Sequence, residues 1–572
     1  VALMGNLSGI VQLFEQLARA GGATFSTGLP NWGDLPCLVL GLGRVLGGEA
    51  QLRFDYWYRA TRIIPYTINE FPFFSFLFAD LHPHMIGIPF TLLLVALASN
   101  KVLRAWQSRG GAVLEALLLV LTMGAVSVIN TWDLPTYWGL TGFFFLWPSC
   151  LKGGRSLWRA LMGFLTLAVL ALIAYSPFFS HYRAQYAGIA VLSPEERSGI
   201  LPFLEIWGFV LFLVISTLVL WWRQLWPGRF LVRLIGLCGW RETLRRLKAV
   251  RTWKNVLALG GLVFAGFLLI WGVVALFRGF AVLGSGLLLL AGALASLAWQ
   301  QRGVLAIQNA LLALGIAILV GVELFYLRDF LAGCEWRRMN TVFKFYIQAW
   351  VLLGLGVGSA FPWVWRFLLS RKGSGRFLWR VAFSFLLLGS LTYTVWAVPV
   401  RVSERFPVVP SRCTLDGTAY METAEYAWPD PEHRIELKYD REAIRWLWQH
   451  VEGTPVLVEA PLGYYREGGL RVSSYTGLPT IVGAHEREQR PWEEVDPRER
   501  DVETIYKTTE ETVLFALLSK YRVRYIYLGQ LERYAFPGPG IAKFQKLAQE
   551  GRLVPVYHNA KVDIYMVPHG GA

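Results

Sequence analysis

The stretch NEFPFFSFLFADLHPHMIGIPFTLLLVALASN, residues 69–100, sets a cluster of ionisable side chains directly against a membrane-length apolar run. No residue from Met85 to Ser99 is charged, and a helix needs about 20 mostly apolar residues to cross a bilayer. Just before that run, Glu70, Asp80, His82 and His84 stand among five phenylalanines. Acidic and imidazole groups beside a bilayer lose hydration unless they gain partners, so the cluster marks a candidate site.

The rest of the chain repeats the apolar pattern. Its 572 residues are 54% hydrophobic, with 25 Trp, 36 Phe and a mean hydropathy of +0.41, which excludes an ordinary soluble protein. Runs of spanning length fall near 85–99, 112–129, 136–150, 158–176, 203–222, 256–277, 279–299, 304–327, 346–369 and 377–400, about ten in all. A Gly-rich apolar piece at 35–48 reads as re-entrant or broken. The fold class is therefore a mainly α, polytopic transmembrane helical bundle. The formal charge of +15 belongs to loops that set topology rather than to nucleic-acid binding. Membrane lipids are the expected partners, and no nucleic acid is expected.

Loop charge gives the orientation. Lys101, Arg104 and Arg109 follow the first clear span, Lys152, Arg155 and Arg159 the third, and Arg366, Arg371, Lys372 and Arg376 the ninth. The densest basic segment, Arg223 to Lys254, falls on the same side and reads as cytoplasmic by the positive-inside rule. Asp55–His84, Asn130–Thr136, Pro177–Pro202, Arg328–Phe345 and everything after about Val400 then gather on the opposite, extracytoplasmic face of an inner membrane. Val1 to Phe14 reads like the tail of a helix already under way, so a preceding piece is expected.

Two domains are expected, 1–400 in the membrane and 401–572 as a small α/β domain outside it. In the second, Asp440–Val451, Val513–Tyr521 and Ala542–Gln549 read as helices. Pro455–Glu459, Val523–Leu528, Leu553–Tyr557 and Val562–Val567 read as strands, the last two around a turn at Asn559-Ala560. The chain has no convincing internal repeat and no Gly-rich phosphate loop. Cys37, Cys150, Cys238, Cys334 and Cys413 form no CxxC pair; Cys334 and Cys413, both on the outer face, are the one pair open to a disulfide.

Three groups of residues carry candidate chemistry. Asp80-x-His82-x-His84 puts three ligands on one side of an extended segment, suited to a divalent metal such as Zn or Mn, with Mg less favoured; a turn shaped by Pro83, with histidines hydrogen-bonding at the interface, is the alternative. Glu70 adds a fourth ligand or a base. Asp133, in NTWDLPT, either caps a helix or supports the site from the same face. Glu323, inside the eighth span, needs a cation; Arg337, Arg338 and Lys344 would supply it or bind a phosphate, with Asn340 beside them. Asp55, Arg59 and Arg62 are either anion contacts or solvated.

The strings INEFPFFSFLFADLHPH (68–84), NTWDLPTY (130–137) and RMNTVFKFYIQAW (338–350) together resemble the YYY family of uncharacterised multi-pass membrane proteins. YTGLPTIVGAHEREQR (475–490) resembles that family's tail, with Ala484 where an aromatic is expected. The tyrosine run of the family lies upstream of the region where this chain begins. In layout the family resembles class C glycosyltransferases. That likeness implies transfer of a sugar from a polyprenyl-phosphate donor to an extracytoplasmic acceptor. Glu70, Asp80 and Asp133 would be catalytic, Asp80, His82 and His84 would hold a metal, and Arg337, Arg338, Asn340, Lys344 and Glu323 would bind substrate. A non-catalytic scaffold and a lipid or solute transporter are the competing classes.

Overall fold

The computed structural model describes residues 3–24, 32–79, 81–103, 109–151, 154–183, 188–225, 253–299, 303–369, 373–405, 414–462, 469–483 and 490–568. The chain divides into two compact units, Val1–Arg401 and Val402–Ala572.

The first unit opens with α1 (Ser8–Ala20) and α2 (Leu35–Leu46), followed by the short α3 (Tyr58–Thr61) and α4 (Pro72–Phe78). Among the described residues ten long helices follow: α5 (Pro83–Leu103), α6 (Arg109–Ile129), α7 (Leu134–Cys150), α8 (Arg155–Ala174), then, beyond the single turn α9 (Ser176–Phe179), α10 (Ile200–Leu225), α11 (Trp253–Phe277), α12 (Ala281–Trp299), α13 (Gly303–Gly321), α14 (Met339–Leu369) and α15 (Ser374–Arg405). Among the described residues nine helices are long and apolar enough to cross a membrane. The tenth, α7, is 17 residues long and carries Pro148; it pairs with α5, α6 and α8.

The boundaries differ from the sequence expectation at four places, each for a local reason. The first helix starts at Ser8, and residues 4–6 before it are not helical. The apolar piece at 35–48 is a continuous helix with Pro36 in its first turn, where a missing N–H costs nothing. The eighth span ends at Gly321, so Glu323 lies past the helix, and Phe325–Leu327 forms strand β2, antiparallel to β1 (Ile189–Val191). The ninth helix begins at Met339, which puts Asn340 and Lys344 on α14.

Segments far apart in sequence meet at one end of this unit. Gln348 Nε2 donates to the Trp132 carbonyl at 2.9 Å and its Oε1 accepts from Thr136, and Leu192 N donates to the Leu324 carbonyl at 2.8 Å. Beneath them lies an aromatic core in which Trp207 stacks on Trp350 at 4.7 Å and Phe71 meets Tyr393 edge-on at 4.9 Å. The two central helices interlock. A Cβ on Gly315 of α13 would lie 2.7 Å from Leu353 Cδ2 of α14, and one on Gly356 of α14 would lie 2.7 Å from Leu312 Cδ2 of α13. Each glycine receives the other helix's leucine, the close approach that small residues permit between membrane helices.

The second unit holds a four-stranded sheet in the order β5 (Val456–Val458), β6 (Val523–Leu528), β8 (Asp563–Met566), β7 (Val554–His558). β5 and β6 run parallel, and β6–β8 and β8–β7 antiparallel. The helices Leu437–His450, Trp492–Lys507, Glu511–Lys520 and Pro539–Gln549 cover it. A separate hairpin, β3 (Glu425–Ala427) with β4 (Arg434–Glu436), precedes this sheet. Within the unit, buried Arg471 is 2.9 Å from Asp440 and 3.2 Å from Glu532.

Candidate functional site

Glu70 sits two residues before α4, where extended Phe71 caps the helix and Pro72 starts it. That helix presents Ser75, whose hydroxyl donates to Glu70 Oε2 at 2.9 Å. The chain then reverses through Ala79 in the left-handed conformation (φ 58°) and re-enters a helix at Pro83. His82 and His84 therefore do not share the face of a strand, because Pro83 opens a helix and the extended segment ends there. Their rings meet nonetheless: His84 Nδ1 is 2.9 Å from His82 Nδ1, and His84 Nε2 is 3.1 Å from Glu70 Oε2.

An ionised carboxylate only accepts, so His84 Nε2 carries the hydrogen facing Glu70. Between the two rings, His84 Nδ1 donates to His82 when the His84 ring is charged and accepts from it when the ring is neutral. Glu70 thus orients His84, and His84 is coupled to half-buried His82. Phe343 covers both rings, at 4.6 Å from His84 and 5.9 Å from His82, and Lys344 Nζ lies 4.2 Å over the Phe343 ring. Burial would raise the Glu70 carboxyl, but the hydrogen bond and charge of His84, the Ser75 hydroxyl and the Lys344 ammonium outweigh it and hold the group below its ordinary value.

Asp133 is buried in the turn between α6 and α7. Burial pushes its carboxyl up to about 7, against the pull of Asn130, Gln348 and Lys344. Gly87 of α5 makes room for it: a Cβ there would stand 3.1 Å from Asp133 Oδ2. Lys344 therefore acts electrostatically on two carboxyls of opposite tendency, one held ionised and one poised to titrate near neutrality.

The arginines have other partners. Arg338 forms a buried ion pair with Glu323 and donates to Ser198 Oγ at 3.1 Å, the Val322 carbonyl at 3.0 Å and the Glu196 carbonyl at 2.8 Å. Glu323 also accepts from Ser198 N at 2.8 Å and Ser198 Oγ at 2.7 Å. Arg337 Nε donates to Glu196 Oε1 at 2.6 Å, and Asn340 Nδ2 to Asp329 Oδ2 at 2.8 Å. These contacts tie the segment before α10 and the α13–α14 connection to the start of α14. They give Glu323 the cation its burial demands, and they commit the Arg338 guanidinium to protein partners. Arg59 likewise serves Glu205 (2.8 Å) and Glu15 (3.1 Å).

Asp80 lies outside the described residues, as does Cys413, so the Asp80 ligand and the Cys334–Cys413 pairing are not described. Among the described residues no three His, Cys, Asp or Glu side chains gather as a metal site. Ser75, Gln348, Ser198 and Glu196 enter this end of the unit without any sequence signal. Polar residues of common type become partners only when the helices pack.

No protein of curated function matches the chain. A model of an uncharacterised membrane-protein family, DUF2298, matches residues 1–353, which include Glu70, His82, His84, Asp133 and Lys344. The match covers more than half of the sequence and fits the unit of long apolar helices. The chain therefore belongs to this uncharacterised membrane-protein family, DUF2298.

Proposed function

We propose that the chain is a membrane glycosyltransferase that moves a sugar from a polyprenyl-phosphate donor to an acceptor hydroxyl on the extracytoplasmic face, where the second unit also lies. The observation that carries this reading is the Glu70–His84–His82 chain beside Lys344. A carboxylate that orients one imidazole against another is an arrangement for general-base work.

The acceptor oxygen attacks the anomeric carbon as the bond from that carbon to the phosphate oxygen breaks. The acceptor proton passes to the imidazole pair, and Glu70 stabilises the resulting imidazolium. Charge accumulates on the departing lipid phosphate, and the Lys344 ammonium offsets it. Asp133, titrating near neutrality, returns a proton to that phosphate. Lipid-linked sugar is the substrate class this requires.

In a variant with a divalent cation (Mn, Mg or Zn), the His82 and His84 imidazoles would hold the ion, with Asp80 a third ligand, after giving up the hydrogen they share, and the cation would offset the charge of the departing phosphate. The test uses proteoliposomes of the whole chain with radiolabelled polyprenyl-phosphate sugars and a soluble acceptor. Transfer by the wild type and its loss in His84→Ala and Glu70→Gln support the proposal. Chelator sensitivity reversed by one metal selects the cation variant. Transfer unchanged in His84→Ala, or none with any such donor, overturns the reading.

A further inference from the structure

Two cavities lie away from the Glu70 site, at the other end of the bundle. One is a groove of about 550 Å³ between α10 and α12, lined by Leu218, Val219, Trp222, Leu288 and Gly292. The other, about 430 Å³, lies among α10, α14 and α15 and is lined by Ser216, Val219, Phe367, Gly373, Arg376 and Trp379. Val219 borders both. Phe367 is 24 residues beyond Phe343 on α14, about 36 Å along the helix.

The walls differ in character. The first groove is apolar apart from the Trp222 indole, while the second carries a cation. Arg376 Nη1 is buried without a hydrogen-bond partner among the described residues, and so is Arg380 Nε one turn further along α15. A buried guanidinium nitrogen with no acceptor calls for an explanation, the more so at the edge of a membrane. The Arg376 guanidinium lies 5.4 Å over the Phe367 ring, and Trp379 Nε1 donates to Ser216 Oγ at 2.8 Å. Both contacts hold the wall in place without neutralising its charge. Tryptophans at this level match the headgroup zone of a bilayer.

The geometry points to a binding site for an anionic phospholipid, with its phosphate on Arg376 and its chains along the grooves on either side of Val219. A guanidinium fork matches phosphate oxygens, and the apolar groove accepts a hydrocarbon chain. Charge complementarity selects this occupant over a neutral lipid or a protein helix.

The test uses the whole chain in a neutral detergent, with lipid binding followed by native mass spectrometry and by Tm. Dioleoyl phosphatidylglycerol should bind and raise Tm, whereas dioleoyl phosphatidylcholine and millimolar inorganic phosphate should not. Arg376→Ala should weaken phosphatidylglycerol binding about tenfold or more, the loss of one charge-assisted pair. Gly292→Leu, where a Cβ meets only Leu218 Cδ1 at 3.7 Å, should weaken it by filling the groove while leaving Arg376 intact. Equal binding of phosphatidylcholine, or an undiminished phosphatidylglycerol effect in both variants, overturns the proposal. An equal response to inorganic phosphate would reduce the site to a simple anion contact and overturn it too.

Discussion

Two acid–base pairs are built by the same end of the membrane unit, and they are finished differently. In the Arg338–Glu323 pair the donors and acceptors face protein: both side chains are almost fully buried, and Ser198, Val322 and Glu196 take up further hydrogen bonds. In the Glu70–His84 pair the chain of hydrogen bonds continues to half-buried His82. A buried ion pair held among protein donors and acceptors clamps a fold, and one that leads to an accessible imidazole can pass a proton. The second pair is therefore the candidate for chemistry and the first a clamp.

The comparison breaks first at the clamp. Glu323→Ala leaves a buried guanidinium without its carboxylate and should cost about 3–5 kcal/mol, read as a large fall in Tm. A paired Glu323→Leu/Arg338→Met replacement should recover most of it. If Glu323→Ala lowers transfer activity at unchanged Tm, the division into clamp and site is wrong.

Asp133 gives the next largest effect. Its folded carboxyl titrates near 7 and its unfolded one near 3.8, so the folded state binds the extra proton between those values. Stability from this group is complete at low pH and lost as pH rises toward 7, by up to about 4 kcal/mol at one pH unit per 1.36 kcal/mol. Asp133→Asn should therefore flatten the fall in Tm between pH 5 and pH 8. A parallel fall in both proteins would show that Asp133 is ionised throughout.

Sharpening the site comes third. His84→Ala should lower transfer about 100-fold or more, in the range of a lost general base, with a modest change in Tm. Smallest is Arg337→Ala: its pair with Glu196 is partly exposed, so a loss below about 1 kcal/mol is expected, with lipid-linked substrate affinity unchanged if Arg337 plays no part in phosphate binding.

The long helices were legible because apolar runs of spanning length leave few alternatives, and β6 was read to the residue because Val523–Leu528 is β-branched and aromatic between clear breaks. Strands β1 and β2 were not legible. Three residues give no period to read, and their partners lie more than a hundred positions apart. The same reason hides the partnership of Arg338 with Ser198 and of Gln348 with Thr136. For the histidines a signal was present: Pro83 is a helix-starting residue, and it argued against an extended Asp80-x-His82-x-His84 triad.

The reciprocal glycines of α13 and α14 have a mechanical consequence. Phe343 and Lys344, which roof and charge the histidines, ride on the same rod as Gly356, about 20 Å away along its axis. With Leu353 lodged over Gly315 and Leu312 over Gly356, that rod is keyed against its neighbour at two points and can neither slide nor spin by a residue. A methyl group at either glycine would lift the key from its slot, and the error would appear far off, as a lysine delivered to the wrong height above the histidine pair.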